Sequence, residues 1–555
     1  MDEFAARTKV EWREWGPEAF AVAERSGKPV LLALTAPWCE DCHEMDRTTY
    51  AEPRIAANVN DGFVPVRVNV DRHPRVRDRY NMGGFPSTVF TTPDGTVITG
   101  ATFLGIDGFR EILDAVRRTW DGKGTEAGSV PRSLRNADPP GGELSARVEE
   151  HMVEQLLAAY DEEFGGWGSD VKFPLPRTIE FALVRARDQA TRTLEAVRTR
   201  LADTVDGGFF RFARNRNWAD QQREKLTDEN AALVRAFAHG YRYTGEEAYR
   251  DTAVRGVEYL TTDLWTGEGF AASQGGADDY YRLEATERAD ADAPSVDSTV
   301  FAGHNALAVD ALLTVAAYTD DERANRYAER GLDAVDDLVR EDGAVVHYRD
   351  PGDGDVDDED EGADAVETGE AGLLATQARV LVGLTTAGQV LGDARRARDV
   401  ADYAIEHLQA ESGAFCDGPA EGPGLLDRPL YPLDSNAELA DALLDLWALT
   451  GEERYRTAAR DALAAFASAT DRMGVEVAAY ASAVARARDP RVVAVGAAAG
   501  SDLHRAALRL ADHETAVAPD DDRAPDGEAV VLVDGTETGR AADPAELETV
   551  LTDAD

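Results

Sequence analysis

Four stretches of this chain repeat one pattern, and that repeat limits the fold more than any single motif. They begin at Glu229 (ENAALVRAFAHGYRYTGEEAYRDTAVRGVEYL), His304 (HNALAVDALLTVAAYTDDERANRYAERGLDAVDDL), Gly372 (GLLATQARVLVGLTTAGQVLGDARRARDVADYAIEHL) and Asn436 (NAELADALLDLWALTGEERYRTAARDALAAF). Each is an apolar helix, a short turn of T-G-E-E type and a second amphipathic helix. A helical hairpin with one apolar face cannot bury that face alone, so several must stack. Glycine-containing segments follow the first three repeats (EGFAAS, DGAVVHY, SGAFCDG). Such regular loops favour a closed (α/α)6 toroid over an open solenoid. Leu144–Tyr160 and Arg177–Leu201 are expected to add two hairpins, and the helix after Val475 to help close the ring. The all-α toroid is placed at residues 143–490.

The residues ahead of it follow a different rhythm. Residues 1–122 read α-β-α-β-α-β-β-α. A helix opened by Gly16-Pro17 runs to Ser26, since proline suits a first helical turn. The apolar run Pro29–Thr35 is a buried strand, and Phe63–Val70 is another. A helix from about Glu40 is kinked or restarted at Pro53. A short helix spans Pro74–Tyr80, and a hairpin turns at Pro93-Asp94-Gly95. Asp107–Trp120 closes this α/β domain. Residues 123–142 hold seven Gly and Pro without periodicity and read as a linker. Residues 491–555 return to α/β as a small C-terminal appendix, with strands at Arg491–Val495 and Glu528–Val533 and helices at Asp502–Ala511 and Pro544–Leu551. Within the toroid, residues 350–370 form an acidic insertion. Asp357, Glu359, Glu361 and Gly362 fit a calcium loop, but its twelfth position is Thr368 where Glu is required, so this is a solvated loop.

Charge narrows the function. The 555 residues carry 105 acids against 58 Lys and Arg, a formal net charge of −47, and five of those bases are Lys. Such a surface repels phosphate backbones and anionic lipid, so neither nucleic acid nor membrane is an expected partner. The acid-rich, Lys-poor balance matches a halophilic protein, whose self-repulsion dense salt screens. No basic, apolar leader opens the chain and no apolar run is long enough to span a bilayer, so the expected compartment is cytoplasmic.

Three cysteines exclude a disulfide-stapled scaffold. Two of them form Trp38-Cys39-Glu40-Asp41-Cys42-His43, after an apolar strand and at the start of a helix. A helix N-terminus stabilises a thiolate through its unpaired N–H groups. This spacing makes Cys39 an exposed nucleophile and Cys42 a buried resolving thiol. Glu40 and Asp41 work to raise the Cys39 pKa and make the pair a reductant, while His43 and the helix dipole oppose them. C-x-x-C-H is also a haem-attachment signature, a zinc site would need further ligands near His43 and His73, and two inert cysteines remain an alternative. Cys416 stands alone and reads as a packing residue.

Phe85-Pro86-Ser87-Thr88 precedes a strand, with Pro86 44 positions after Cys42. With the dithiol helix it resembles the thioredoxin fold over residues 10–120, which implies a cis-proline facing the sulfurs. Thioredoxins carry a buried Asp six residues before the first Cys; here Ala33 stands there. The two domains together resemble the spermatogenesis-associated thioredoxin-domain proteins, whose bacterial members include the YyaL-like proteins. The matching residues are Cys39, Cys42, His43 and Met45, Gly84-Phe85-Pro86, and Thr92-Pro93-Asp94-Gly95. In the toroid they are Gly165-Gly166-Trp167-Gly168, Lys172-Phe173-Pro174, Asp206-Gly207-Gly208-Phe209, and Trp218 with Glu224-Lys225 and Asn230-Ala231. The resemblance implies a toroid similar to six-hairpin glycosidases and N-acylglucosamine epimerases. Family members have a His before the Glu-Lys pair; this chain has Gln222-Arg223.

Glycosidase chemistry needs two carboxylates roughly 5 to 9.5 Å apart. Glu224, Asp228, Asp297 and Asp434 are the candidates, and Trp167, Phe209, Trp218 and Tyr431 could line a sugar cleft. His304 reads as a structural histidine.

The expected protein is therefore a thiol–disulfide oxidoreductase domain with no cofactor and no metal. Cys39 and Cys42 exchange electrons, and Trp38, His43, Phe85 and Pro86 shape the substrate groove. Its partners are a protein thiol or disulfide client, or an electron-donor reductase. The toroid recognises a client or ligand, with Trp218, Glu224, Lys225 and Asp228 as its candidate site. One alternative is a carbohydrate-active toroid with a regulatory dithiol domain; another is a non-catalytic interaction protein.

Overall fold

The computed structural model describes residues 8–135, 138–350 and 368–554. The acidic insertion therefore lies almost wholly outside the described residues. The chain divides into two compact units: Met1–Asp138 with Asp417–Leu430, and Pro139–Cys416 with Tyr431–Asp555.

The first unit is built on β1 (Arg13–Glu14), α1 (Pro17–Ser26), β2 (Val30–Thr35), α2 (Glu40–Arg47), α3 (Pro53–Gly62), β3 (Val64–Asn69), α4 (Pro74–Tyr80), β4 (Ser87–Thr91), β5 (Val97–Ala101) and α5 (Ile106–Lys123). The sheet order is β1-β3-β2-β4-β5. β1, β2 and β3 are parallel, and β4 and β5 run antiparallel to their neighbours, a thioredoxin-like α/β sheet. β2 is central, and Val30–Leu34 are buried on both faces, so it reads as a continuous apolar run rather than an alternating one. Pro17, Pro53 and Pro74 each sit in a first helical turn. Pro53 does more than kink a helix. α2 ends at Arg47 and α3 begins afresh, with the Glu52 carboxylate accepting the Ile55 N–H at 2.8 Å.

Residues 417–430 lie within the span that the sequence assigns to the toroid, yet they pack into this first unit. The excursion is pinned at its neck, where Asp417 N–H donates to the Leu430 carbonyl at 2.8 Å and Leu430 N–H donates to Asp417 Oδ1 at 3.1 Å. α4 holds its body. Arg75 Nε meets Asp417 Oδ2 at 3.1 Å and Arg79 Nη1 meets the same oxygen at 2.5 Å. The two guanidiniums also donate to the carbonyls of Leu425, Leu426 and Arg428.

The second unit is a ring. Its inner helices are α7 (Pro176–Arg185), α9 (Thr227–Thr244), α13 (Ala302–Thr319), α15 (Leu374–Leu391), α17 (Leu433–Thr450) and α19 (Ala478–Arg488). Each packs on the next, and α19 returns to α7. The outer helices are α6 (Ala146–Ala158), α8 (Arg187–Arg200), α10 (Glu247–Thr262), α14 (Glu322–Asp336), α16 (Ala397–His407) and α18 (Glu453–Ala464), with two short helices, α11 (Asp278–Tyr281) and α12 (Ala285–Arg288), in one loop. Leu144–Tyr160 is not a hairpin of its own: it forms the single helix α6, which packs against α19 and completes the sixth pair.

One device explains the Asn at the head of the repeats. Asn230 Oδ1 accepts the Phe209 N–H at 2.7 Å, while its amide donates to the Phe209 and Leu226 carbonyls. Asn305 clamps Phe270 and Phe301 in the same way, and Asn436 clamps Phe415 and Pro432. Gln377 plays this part for Val345. Each buried amide satisfies the backbone of a loop preceding its helix, which a packed ring of helices otherwise leaves unpaired.

The C-terminal residues add a four-stranded sheet (Arg491–Val495, Ala516–Ala518, Ala529–Val533, Thr536–Ala541) and the helices α20 (Asp502–Leu510) and α21 (Pro544–Ala554). Ala516–Ala518 and Thr536–Ala541 are strands the sequence pattern did not reveal. This sheet closes one end of the ring. Arg185 at the end of α7 pairs with Glu514, Arg242 near the end of α9 donates to the Leu510 carbonyl, and His504 Nε2 lies 2.8 Å from the Gln389 carbonyl. Beneath it lies a cavity of about 160 Å³, lined by Arg177, Glu180, Arg235, Asp310, Asp445 and Arg486 among others.

Candidate functional site

Cys39 is the N-cap of α2, and its Sγ accepts the Cys42 N–H at 3.2 Å. The two cysteines are joined as a disulfide. The expectation of an exposed Cys39 is not met: Cys39 is 4% exposed and Cys42 2%. In the disulfide the Cys39 sulfur is turned back onto the first helical turn, where it caps rather than projects. The Phe85-Pro86 bond is cis. Leu34 and Ser87 are register partners across β2 and β4, and the Trp38 and Phe85 rings meet edge to face at 6.0 Å. Pairing and ring contact thus bring the dithiol turn and the proline turn together. Trp38 Nε1 donates to Asp71 at 2.8 Å, and Asn81 Oδ1 accepts from Gly83 and Gly84 N–H, so both turns are held by side chains.

The acids between the sulfurs are less of a burden on a thiolate than the sequence suggests. Glu40 lies 3.7 Å from His43 Nδ1 and 2.6 Å from Arg47. The His43 contact is the largest influence holding its carboxyl below the ordinary range, with Arg47 adding to it against burial. Glu40 is therefore paired with Arg47 and lies against His43 along the helix surface, so part of its effect on Cys39 is offset.

Sequence reasoning missed Asp46. It is one turn beyond Cys42 on α2 and 5% exposed. Arg67 of β3 pairs with it, and the Arg67 guanidinium lies over the Trp12 ring at 4.9 Å. Burial raises the Asp46 pKa, with Arg67 opposing. An acid on the otherwise apolar face of α2, beside Met45, was the available signal, and 105 acids obscured it.

The toroid candidates separate into two groups. Trp218 is 1% exposed and its Nε1 donates to the Phe164 and Gly165 carbonyls. Lys225 is fully buried, 2.8 Å from both Asp203 Oδ2 and the Gly207 carbonyl. Lys172 repeats the arrangement with Asp161 at 2.9 Å and the Gly168 carbonyl at 2.7 Å. These residues brace the Gly165-Gly166 and Gly207-Gly208 loops.

Glu224 and Asp228 belong to the other group, at the N-terminal ends of the inner helices. Arg211 links Glu224 (3.4 Å) to Glu229 (3.3 Å). Asp228 lies 3.6 Å from His304 Nε2 and 3.2 Å from Arg379. Arg379 continues to Glu438 at 3.8 Å, and Glu438 to Arg177 at 3.1 Å. Glu229, His304, Arg379 and Glu438 are the members that sequence reasoning did not assign to this site. The neighbouring acids Asp228 and Glu229 are driven apart electrostatically. Burial pushes Glu229 up to about 7 against Arg211, with the Asp228 charge adding to the rise. Burial acts on Asp228 too, but His304 and Arg379 outweigh it and hold that carboxyl at about 2. One acid is thus kept protonated to near neutrality beside one kept ionised, the division that acid–base chemistry uses. Among the described residues no cluster of three or more His, Cys, Asp or Glu could hold a metal ion, and no helix is long and apolar enough to cross a membrane.

The fold and the two sites define a thioredoxin-like domain carrying a C-x-x-C pair, followed by a six-hairpin helical toroid. Residues 3–136 match the family profile Thioredox_DsbH, described as a protein of unknown function, DUF255. The chain is similar to human spermatogenesis-associated protein 20, 27% identical over 296 residues, which are 47% of this chain and 38% of that protein. The chain thus spans less than two-fifths of the length of that relative. Over 107 residues it is 28% identical to the thiol:disulfide interchange protein DsbD of Yersinia pestis, covering 19% of this chain and 18% of that one. Among solved structures, cellobiose 2-epimerase from Spirochaeta thermophila matches 57% of this chain and 82% of its own, at 17% identity and a TM-score of 0.46. A sugar epimerase from a ruminal bacterium matches 57% and 85%, at 14% identity and a TM-score of 0.45.

Proposed function

We propose that the first unit is a thiol–disulfide oxidoreductase acting through Cys39 and Cys42, and that the toroid binds its client or ligand. The observation that carries this reading is the Cys39–Cys42 disulfide at the N-cap of α2, beside the cis Phe85-Pro86 turn. The helix N-terminus favours the Cys39 thiolate that such exchange requires. Cys39 attacks a client disulfide, Cys42 resolves the mixed disulfide, and an external dithiol donor restores the reduced pair. Trp38, Phe85 and Pro86 shape the client groove, and His43 adjusts the charge beside it. Similarity to DsbD over this domain supports the reading. The acidic composition accords with a cytoplasm of high salt.

The test is the redox equilibrium of Cys39–Cys42 against a glutathione series in multimolar KCl, with Cys39→Ser as control and Cys42→Ser to trap clients. A defined two-electron equilibrium, lost in the Cys39 variant, is expected. A pair that stays reduced at every poise, or binds stoichiometric zinc, overturns the reading, as does normal function with both cysteines replaced by Ser.

A second reading has its own observation, the neighbouring acids Asp228 and Glu229 held by His304, Arg379 and Arg211, with burial working to raise Glu229 and the cations to lower Asp228. On it, the toroid acts on a carbohydrate and the dithiol is regulatory. Sugar turnover that vanishes in Asp228→Asn and Glu229→Gln supports it; unchanged turnover removes it.

A further inference from the structure

When a dithiol closes to a disulfide, its second sulfur must lose a proton while it attacks. Cys42 is 2% exposed, so bulk water is a poor acceptor. On α2, Asp46 follows Cys42 at i+4, the spacing that puts two side chains on one helical face about 5–6 Å apart at Cβ.

The surroundings of Asp46 form a built polar pocket inside an apolar layer. Ala33 of β2 packs in the core cluster that also holds Met45 and Tyr50, so it faces α2. Its register partners are Arg67 on β3 and Thr88 on β4. Position 33 carries only a methyl group, and Arg67, its register partner on β3, pairs with Asp46. The strand carboxylate that the thioredoxin resemblance leads one to expect at position 33 is replaced by a carboxylate delivered from the helix. Arg67 faces Asp46 from β3, with Trp12 beyond it. His43 and Arg47 act on it from α2. The Tyr50 hydroxyl, bonded to Thr88 Oγ1 at 3.3 Å, feels the Asp46 charge from the same layer.

We propose that Asp46, positioned by Arg67, takes the proton from the Cys42 thiol during resolution and returns it to the departing client thiolate. This rests on the dithiol reading above. The sequence begins with Cys39 as thiolate and Cys42 as thiol. Cys39 attacks a client disulfide R–S–S–R′, forms Cys39–S–S–R and expels R′–S⁻, which solvent protonates. The Cys42 S–H bond then breaks toward the Asp46 carboxylate. The Cys42 sulfur bonds to Cys39 Sγ, the Cys39–S–R bond breaks, and R–S⁻ takes the proton from Asp46. The client gains two electrons and the pair becomes the disulfide seen in the structure. The raised pKa of Asp46 supports the role, because it brings acceptor and donor strengths closer at neutral pH.

The experiment uses the full chain, reduced, mixed with oxidised glutathione in multimolar KCl from pH 5 to 9. Release of the first and second glutathione is followed separately. In Asp46→Asn, release of the second is expected to slow roughly 10²-fold, the usual weight of one positioned acid–base group. The first release should change far less. The pH profile of the second step should move up toward the free thiol range of about 8.5. Asp46→Glu should recover part of the rate. If Asp46→Asn fails to fold, Arg67→Gln keeps the carboxylate and must still shift the profile. An unchanged second step and profile in either folded variant overturns the proposal. A wild-type chain that glutathione does not oxidise at all overturns the dithiol reading instead.

Discussion

Asp417→Asn is the most informative single perturbation of the first unit. Asp417 is the carboxylate shared by two arginines of α4: its side chain is 4% exposed, that of Arg75 3% and that of Arg79 0%. The three contacts are 3.1, 2.5 and 3.2 Å. Asparagine keeps the shape but removes the charge that two buried guanidiniums share. Breaking a buried ion pair from one side costs about 3–5 kcal/mol, because the remaining charge stays desolvated. At 1.36 kcal/mol per tenfold, that is roughly two to nearly four orders of magnitude in the local opening equilibrium.

The loss should be local. The excursion 417–430 returns to its own start through Leu430, and its middle is fixed to Tyr80, whose hydroxyl accepts from Leu425 N–H at 3.1 Å and donates to the Gly95 carbonyl at 3.0 Å. Hydrogen exchange resolved by segment is the suitable assay. Protection in 417–430 and α4 should fall by about 10²-fold or more, while the amides of α13 and α15 keep theirs. Protection in 417–430 that stays within about tenfold of wild type would refute the claim that Asp417 anchors this segment.

Two further predictions concern charge. Glu229 is raised to about 7 by burial, so between its unfolded value near 4.5 and pH 7 the native state binds more protons than the unfolded one; stability should fall as pH rises through that window, and Glu229→Gln should remove that part of the slope in unfolding titrations. With a net charge of −47, the melting temperature should climb steadily as KCl screens self-repulsion over ever shorter distances; a flat melting curve from dilute to multimolar KCl counts against salt adaptation.

How far the sequence could be read depended on whether the controlling contact was local. β2, the proline-started helices and the Asp94-Gly95 turn each advertise themselves within a few residues, because burial, φ restriction and positive φ act on single positions. The hairpin repeats are equally plain, and their leading Asn residues carry a further signal, an amide that follows a Phe in a glycine-containing loop. The Arg75–Arg79–Asp417 knot was illegible, since nothing local to either segment marks a partner more than 330 positions away. Glu229 and Asp46 failed for a different reason. Acidic residues are so abundant that one more carries little information until burial singles it out. Lys225 and Trp218 looked like site residues because buried polar braces and ligand-binding groups share residue types.

The lysines show how composition and packing can be separated. A chain that avoids lysine still spends two of its five on positions with no solvent exposure, Lys172 and Lys225. Surface adaptation acts on hydration and net charge, so it cannot account for them. What selects lysine there is shape. The Lys225 ammonium sits between Asp203 and the Gly207 carbonyl, with the Tyr259, Tyr281 and Phe210 rings at 4.6, 5.0 and 5.5 Å. That is a compact point charge in an aromatic and carboxylate cage, for which a planar, forked guanidinium is the wrong form. Arg288 shares the same Asp203 at 2.8 Å and lies over the Tyr281 ring at 5.3 Å. In a Lys-poor sequence each remaining lysine is therefore a candidate for a buried cage, and here two of the five brace the loops at Gly168 and Gly207.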